Sequence, residues 1–337
     1  MPGGNPGRAS LPAPDRRPPG SGPGSEPIEG LPALWHEGAH ERMDVRDASM
    51  NQPLYRNMNP EQLRLQYNPS RSMPEAPQLF RSWKQRSADF RATAKAELDI
   101  AYGEHPAARL DLFLPEAPRP RLHVYIHGGY WQAFGKDDFS FMAEGLTRAG
   151  MAVAVLGFPL CPGTPLPGII RQARRALSFL WREAERLGLA ADKIQISGHS
   201  AGAYLCAMLL ATLWPKLEKD LPDDIIDSAV LISGVYDLEP LRYIETGNAL
   251  KLTAELARQI CPFTLRSAGK ARLLLCTGGQ ESAELKRQSS VLGRLWARQG
   301  SNLEVISYPM RNHFTILEEL APPDGSLVRR CQEMRES

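Results

Sequence analysis

Short apolar runs alternate with longer amphipathic stretches along most of the chain. Between residues 109 and 114, Leu110, Leu112 and Leu114 occupy every second position, which is the period of a strand with one buried face. Between residues 169 and 187, apolar residues recur at steps of three and four, as a helix packed on a sheet requires. The short runs predict eight strands, at 97–102, 109–114, 121–126, 151–156, 193–197, 229–233, 272–276 and 303–307.

The stretches between these strands have helical periodicity. Because strand and helix alternate, the sequence predicts an α/β fold with a mostly parallel eight-stranded sheet flanked by helices on both faces. In such a sheet the reactive loops follow the carboxyl ends of the strands. The predicted helices are at 79–93, 139–149, 169–187, 201–213, 241–260, 283–298 and 314–320.

The first 58 residues differ from the rest of the chain. They contain 10 of its 29 prolines and 8 of its 28 glycines, a composition that favours disorder over a packed core. We therefore predict a disordered segment over 1–58, part of which is untranslated if the start codon is that of Met43, Met50 or Met58. The α/β domain is predicted over 59–337, with a small helical insertion around 238–262.

Composition narrows the choice of partners. Lys and Arg total 40 against 38 Asp and Glu, so the formal charge of +2 provides no broad basic field for nucleic acid or an acidic membrane surface. The longest strongly apolar stretch, at about 203–214, is shorter than the ~20 residues that a bilayer-spanning helix needs. The N-terminal segment has no apolar signal core. We expect a cytoplasmic protein that acts on a small-molecule substrate and water, and the sequence leaves a homodimer open.

Neither the cysteines nor the histidines predict a metal site. The five cysteines are scattered without a CxxC pair. His36 and His40 have the H-E-x-x-H spacing of zinc proteases, but Gly38 between them and the proline-rich surroundings oppose the helix that such a site needs. We expect neither a metal nor a cofactor.

The strongest local signal for chemistry is the segment 194–203. A β-prone run leads into Gly198-His199-Ser200-Ala201-Gly202, a G-x-S-x-G motif followed by small residues that begin a helix. Glycines on both sides of the serine allow the tight strand-to-helix turn of a nucleophile elbow. The sequence therefore predicts Ser200 as a nucleophile.

A nucleophilic serine needs a base, and imidazole suits that task near neutral pH. His313 follows the last predicted strand and begins the last predicted helix, where this topology has its base. His105 and His123 precede the elbow, and the remaining candidates belong to other motifs or to the N-terminal segment. His313 is the predicted base, with helix capping or packing as its alternative role.

The third member of such a triad is a carboxylate that orients the imidazole. The strand at 272–276 is followed by Glu281 and Glu284, of which Glu281 is nearer the strand end. Glu284 is one turn into the predicted helix, where acids commonly interact with the helix dipole. Glu281 is the predicted acid. Glu284 remains an alternative, as does Asp237, which follows the preceding strand and also suits a helix N-cap.

Backbone amides are expected to bind the oxyanion. The strand at 121–126 is followed by His127-Gly128-Gly129, and two glycines let the backbone turn N–H groups toward one point. Gly128, Gly129 and Ala201 are the predicted donors. A plain glycine turn is the alternative, which the elbow about 70 residues downstream disfavours.

These motifs together resemble the α/β-hydrolase fold and, within it, the kynurenine formamidase (arylformamidase) group and its esterase relatives. The resemblance implies Ser200, His313 and Glu281 as nucleophile, base and acid, with Glu281 standing where many members have Asp. It spans roughly 59–320 and is carried by the segments 66–69, 110–113, 127–131, 198–202, 281–289 and 313–314.

The resemblance also implies a reaction, the hydrolysis of an aryl formamide such as N-formylkynurenine through a formyl-Ser200 intermediate. It makes Tyr130, Trp131, Phe158 and Tyr236 candidates for the substrate pocket, although Tyr130 and Trp131 also suit plain wall packing. Phe158 stands where relatives often have Tyr, which favours an altered substrate preference. Two other functions remain open: a general short-chain carboxylesterase, and a non-catalytic binding module of the same fold, which the presence of both Ser200 and a base disfavours.

Overall fold

The computed structural model describes residues 53–190 and 193–336. The His36–His40 string and the predicted disorder of residues 1–52 therefore lie outside the described residues. Residues 53–58, which the sequence predicts to be disordered, pack on the domain. Tyr55 and Met58 form a short antiparallel bridge, and the Tyr55 hydroxyl donates a hydrogen bond to Asp237.

The strands occur in the predicted order along the chain, and seven of the eight begin within one residue of the predicted start. The largest difference is in the sixth strand, which begins three residues earlier than predicted. The strands are β1 (Ala96–Ala101), β2 (Arg109–Phe113), β3 (Leu122–Ile126), β4 (Ala152–Leu156), β5 (Ile194–His199), β6 (Ile226–Ile232), β7 (Arg272–Gly278) and β8 (Leu303–Tyr308).

All eight strands form one sheet, in the order β1-β2-β4-β3-β5-β6-β7-β8. β2 is antiparallel to β1 and to β4, and every other neighbouring pair is parallel. The predicted mostly parallel eight-stranded sheet is confirmed. β3 and β5 are neighbours, with Ile126 opposite Gly198, so the loop after β3 and the turn after β5 meet at the same edge of the sheet.

Helices connect the strands. No helix among the described residues is both long and apolar enough to cross a bilayer. The α-helices are α1 (Pro60–Tyr67), α2 (Ala76–Thr93), α3 (Ala143–Arg148), α4 (Leu166–Glu183), α5 (Ala201–Leu210), α6 (Trp214–Leu217), α7 (Ala254–Gln259), α8 (Ala283–Arg298) and α9 (Ser326–Glu336).

Both faces of the sheet are covered. Along β4, Ala152, Ala154 and Leu156 pack in one hydrophobic cluster with α4 and α5, whereas Val153 and Val155 pack in a second cluster with α2 and α3. Because side chains alternate between the two faces of a strand, these clusters lie on opposite faces. The predicted helical cover on both faces is therefore confirmed.

Some helices differ from the prediction. The single helix predicted over 241–260 is two 3₁₀ segments, Glu239–Tyr243 and Glu245–Leu250, followed by the short α7. Ile244 is extended and Lys251 is left-handed with φ of 49°, so a continuous α-helix cannot form there. The predicted helix over 314–320 is a 3₁₀ segment, and that over 139–149 is α-helical only in α3.

Among the described residues, three α-helices were not predicted: α1, the short α6 and α9. α1 has local signals that support it, because Asn59 and Gln62 form a capping box and Pro60 occupies the first turn. α9 packs Leu327 and Cys331 into the second cluster. The lead segment at 53–75 and the C-terminal helix thus belong to the folded domain.

Candidate active site

Ser200 lies in a strained turn between β5 and α5. Its backbone has φ of 55° and ψ of −115°, a region that non-glycine residues rarely adopt. A Cβ atom at Gly202 would lie 2.0 Å from the Ile126 carbonyl oxygen, and one at Gly198 would lie 2.4 Å from the Gly202 carbonyl oxygen. Both glycines are therefore required for this turn, as the elbow motif predicts. The Ser200 N–H donates to the Ile232 carbonyl at 2.8 Å, which anchors the turn on β6.

Ser200 and His313 line the same small cavity. Ser200 is only 3% exposed and His313 only 5%, so the site is enclosed. The cavity offers about 20 Å³ to the centre of a water-sized sphere, which is room for one water molecule or little more. It is lined by Pro69, Trp83, Gly128, Gly129, Tyr130, Phe134, Phe139, His199, Ser200, His313 and Phe314.

The His313 imidazole is held by a buried carboxylate. Its Nδ1 lies 3.1 Å from Glu281 Oε2. Glu281 Oε1 accepts hydrogen bonds from the Ser233 hydroxyl, at 2.6 Å, and from the Gly278 N–H. These two donors hold one carboxylate oxygen, so the other is directed at the imidazole. Ser233 was not predicted; its one sequence signal is its position directly after β6, at the reactive edge of the sheet.

The two alternative acids belong to a separate buried network. The Glu284 carboxylate pairs with Arg287 at 2.6 and 2.8 Å and accepts a hydrogen bond from the Tyr67 hydroxyl at 3.0 Å. Asp237 accepts from Tyr55 and lies 3.7 Å from Arg287, and burial raises the pKa of its carboxyl. Both carboxylates are engaged at the junction of the lead segment with α8, whereas Glu281 contacts the imidazole.

His199 supports the base from the other side. Its Nε2–H donates to the His313 carbonyl at 2.7 Å, and the two ring centres are 4.7 Å apart. Burial, followed by the neighbouring charge of His313, holds the pKa of His199 well below 6.5. His199 is therefore neutral, and because Nε2 carries the proton, Nδ1 is left as an acceptor. His199 thus anchors the backbone of His313.

Two of the three predicted oxyanion donors line the same cavity, and the third is adjacent to Ser200 in the chain. Gly128 and Gly129 line the cavity, and Ala201 begins α5 beside Ser200. Among the described residues, none of these three amides donates a hydrogen bond to another group of the chain. Three free N–H groups therefore remain for an oxyanion.

His127 stabilises the loop that carries these glycines. Its Nδ1–H donates to the Gly128 carbonyl at 2.8 Å. Its ring is stacked between Phe139 and Phe158, with centres 5.4 and 4.4 Å away. Burial lowers the pKa of His127 to about 4, so the imidazole is neutral near pH 7. The loop is held by a neutral histidine in an aromatic stack.

The four predicted pocket residues are separated in the structure. Tyr130 lines the cavity, whereas Trp131, Phe158 and Tyr236 do not. Trp131 donates its indole N–H to the Ala201 carbonyl at 3.1 Å, and Phe158 stacks on the His127 ring. Tyr236 is fully buried. These three side chains are buried, and Tyr130 is the one of the four pocket candidates that lines the cavity.

The aromatic wall of the cavity was not predicted from the sequence. It consists of Trp83 from α2 together with Phe134, Phe139 and Phe314. Trp83 follows Phe80 by three positions, which is the spacing of an ordinary core-facing helix. No sequence signal distinguishes such a residue from core packing, because its place at the site depends on how α2 docks.

One carboxylate cluster away from this site has its charge balanced by the chain itself. Asp99, Asp111 and Asp137 offer oxygens within 4.8 Å of one another. Lys136 Nζ lies 2.6 Å from Asp99 and 2.9 Å from Asp111, and Arg91 pairs with Asp111 and Asp137. Two cationic side chains therefore occupy the surroundings in which a metal ion would have to bind.

Comparison with known proteins agrees with this geometry. The BD-FAE family model matches residues 110–282, a range that contains the elbow and Glu281 and ends before His313. The kynurenine formamidase of Danio rerio is 29% identical over 293 residues, which cover 83% of this chain and 98% of that protein. The kynurenine formamidase of Drosophila melanogaster is 24% identical and covers 79% of this chain and 91% of that protein.

Solved structures agree as well. A candidate thioesterase from Silicibacter sp. has a TM-score of 0.69 at 29% identity and covers 78% of this chain and 96% of that one. An esterase from Pyrobaculum calidifontis has a TM-score of 0.58 at 16% identity, covering 79% of this chain and 95% of that one. The second similarity concerns the fold alone. The predicted α/β-hydrolase fold and the predicted similarity to arylformamidases are confirmed.

Proposed function

This chain belongs to the BD-FAE family, and from that membership and the site geometry we propose that it hydrolyses a small aryl formamide through an acyl-Ser200 intermediate. That it is a hydrolase of the formamide or ester class follows from its relatives. The finer proposal concerns the substrate, which we take to be N-formylkynurenine or a close analogue, because relatives covering most of the chain are named kynurenine formamidases.

Acylation begins at the Ser200 hydroxyl. Its oxygen attacks the formyl carbon while His313 Nε2 takes the hydroxyl proton, and Glu281 stabilises the resulting imidazolium through Nδ1–H. The amides of Gly128, Gly129 and Ala201 stabilise the negative oxygen of the tetrahedral intermediate. When the carbon–nitrogen bond breaks, the imidazolium gives its proton to the leaving amine, and a formyl ester remains on Ser200.

Deacylation repeats these steps with water. His313 removes a proton from a water molecule that attacks the formyl ester, and the same amides bind the second tetrahedral intermediate. The imidazolium then protonates the serine oxygen as the carbon–oxygen bond breaks, which releases formic acid and restores the enzyme. The residues of the chain supply every proton transfer.

One observation carries the proposal: the Glu281–His313 pair. A buried carboxylate 3.1 Å from imidazole Nδ1 stabilises the tautomer in which Nε2 is free to accept a proton. A structural ion pair would not require this histidine to share a cavity with a strained serine and two glycines. The cavity volume of about 20 Å³ also suits a one-carbon acyl group better than a longer chain.

The substrate assignment is tested by comparing kcat/KM for N-formylkynurenine and p-nitrophenyl acetate. We expect the formamide to be the better substrate. A preference for the acetate by several orders of magnitude would instead assign the protein as a short-chain carboxylesterase, which uses the same triad and oxyanion donors.

The nucleophile is tested by Ser200→Ala. This change should lower kcat by roughly 10⁶ and abolish labelling by a fluorophosphonate probe, without lowering the melting temperature. Ser178→Ala serves as a matched control, because the Ser178 hydroxyl is buried in α4 and has no hydrogen-bond partner within residues 53–190 and 193–336. Retained turnover in a folded Ser200→Ala protein would contradict the proposal.

A further inference from the structure

The cavity beside Ser200 is closed by aromatic rings. Trp83, Phe134, Phe139 and Phe314 form the aromatic wall of the cavity that Ser200, Gly128 and Gly129 also line. Trp83, Phe139 and Phe314 are each at most 5% exposed. Any group that enters this cavity therefore contacts aromatic side chains and little solvent.

The rings brace one another, so the wall is rigid. The Trp83 ring lies 5.4 Å from Phe139 and 6.1 Å from Phe314, measured between ring centres. Phe80 lies 5.2 Å from Trp83, from Phe134 and from Phe314. These rings come from α2, from the loop after β3 and from the segment after His313. Because protein interiors are close-packed, a displacement of one ring requires displacement of the others.

The volume of the cavity determines which half of a substrate can enter. At about 20 Å³ for the centre of a water-sized sphere, it holds a group of the size of one water molecule. An aryl ring is far larger, so the aryl amine or alcohol must lie outside this cavity. The enclosed space is left for the substituent on the carbonyl carbon.

We infer that Trp83 is a specificity-determining residue that limits the acyl group to formyl. This inference rests on the proposed function, since it assumes an acyl-Ser200 intermediate. A formyl carbon carries only hydrogen in the direction of the wall, whereas an acetyl or butyryl group directs a methyl group or a chain at it. In a tight apolar pocket, one such carbon changes kcat/KM by about 10- to 200-fold.

Trp83 is the member of the wall best suited to a test. Phe139 stacks on His127, Phe134 belongs to the oxyanion loop and Phe314 follows the base, so changes there would disturb the catalytic groups. Trp83 reaches the site from α2 through its side chain. Its indole N–H is buried without a hydrogen-bond partner among the described residues. Trp83→Phe therefore reduces the volume of the side chain without breaking a hydrogen bond.

The experiment measures kcat/KM for p-nitrophenyl formate, acetate and butyrate, which share one leaving group. Rates with Ser200→Ala are subtracted as background. In the wild type, we expect kcat/KM to fall steeply from formate to acetate to butyrate. In Trp83→Phe, the acetate-to-formate ratio should rise on the order of tenfold over the wild-type ratio, because intrinsic ester reactivity cancels between proteins. Trp83→Ala should extend the gain to butyrate.

Trp296→Phe is the matched control. Trp296 is fully buried on α8 and does not line the cavity, and its indole N–H donates to the Pro262 carbonyl at 3.2 Å. This control loses ring volume and a hydrogen bond, so its destabilisation should be at least that of Trp83→Phe. Its acyl-length profile should equal that of the wild type.

The outcomes separate the inference from the proposed function. If both Trp83 variants keep the wild-type acyl-length profile while the wild type is active, the inference is overturned and the proposed function stands. If Trp83→Ala does not fold, Trp83→Phe decides alone. If the wild type hydrolyses none of the esters and no aryl formamide, the proposed function fails and the inference falls with it.

Discussion

Buried polar side chains on two neighbouring strands are hydrogen-bonded to one another, and they make the free energy of unfolding of this protein depend on pH in the acid range. Gln195 Nε2 donates to the Cys331 carbonyl at 3.0 Å, so Gln195 Oε1 faces the His123 ring and accepts from Nδ1–H at 2.9 Å. His123 Nε2 must then accept from the Ser197 hydroxyl, at 2.6 Å. Protonation of His123 would place a second ring proton against that hydroxyl hydrogen, in a site without solvent.

Burial accordingly lowers the pKa of His123 from its ordinary 6.5 to about 4. Because the folded pKa is the lower one, this contribution to stability is complete above pH 6.5 and is lost as the pH falls through the range from 6.5 to about 4. Each pH unit between the two pKa values corresponds to ~1.4 kcal/mol. The full loss is therefore about 3 kcal/mol, of which about 2 kcal/mol is lost by pH 5.

Urea unfolding between about pH 7.5 and about pH 5 measures this dependence. We expect the free energy of unfolding of His123→Gln, whose side chain stays neutral, to depend less on pH than that of the wild type, by about 2 kcal/mol over this range. His127, whose pKa burial also lowers to about 4, contributes a similar dependence that persists in the variant. Equal pH dependence in wild type and variant would refute the reasoning.

Two further substitutions test the site. Ser233→Ala removes the hydroxyl that donates to Glu281, so we expect the free energy of unfolding to fall by about 1.5–3 kcal/mol and kcat to fall about tenfold. Ser289→Ala is the control and should change kcat little, because the buried Ser289 hydroxyl has no partner in the part of the chain that the structure describes. Equal kcat values for the two variants would contradict the role of Ser233. Gly202→Ala places a Cβ 2.0 Å from a backbone oxygen of β3 and should lower stability by at least about 3 kcal/mol, measured by urea unfolding, whereas Gly135→Ala, with open space around the added atom, should be tolerated.

Several features could be predicted because their causes are local in the chain. The alternation of strand and helix periodicity along the chain was enough to predict the parallel sheet. The helix predicted over 283–298 coincides with α8. The elbow was predictable because a strained serine requires glycine neighbours in the same short segment. Glu281 and His313 were chosen by their position after particular strands, and the carboxyl edge of a parallel sheet brings such positions together.

Other features could not be predicted because they depend on close packing that hydrophobic periodicity does not report. The helix predicted over 241–260 has suitable periodicity, but Gly247 lies against the Leu241 carbonyl, and Lys251 is left-handed. No periodicity reports such a packing constraint. The segment therefore forms 3₁₀ turns in place of one helix.

The choice among the three carboxylates also depends partly on the sequence and partly on the tertiary structure. From the sequence, Glu281, Glu284 and Asp237 are all acids near strand ends, and their order along the chain only ranks them. In the folded protein, Tyr67 and Arg287 engage Glu284 in another network, whereas Ser233 and His313 contact Glu281. The chemical groups are properties of the chain. The packing of distant segments decides which of these groups meet in one cavity. It also decides that a tryptophan from α2 lines that cavity. The reason is that hydrogen bonds and ring contacts form only between side chains that the whole fold has brought together.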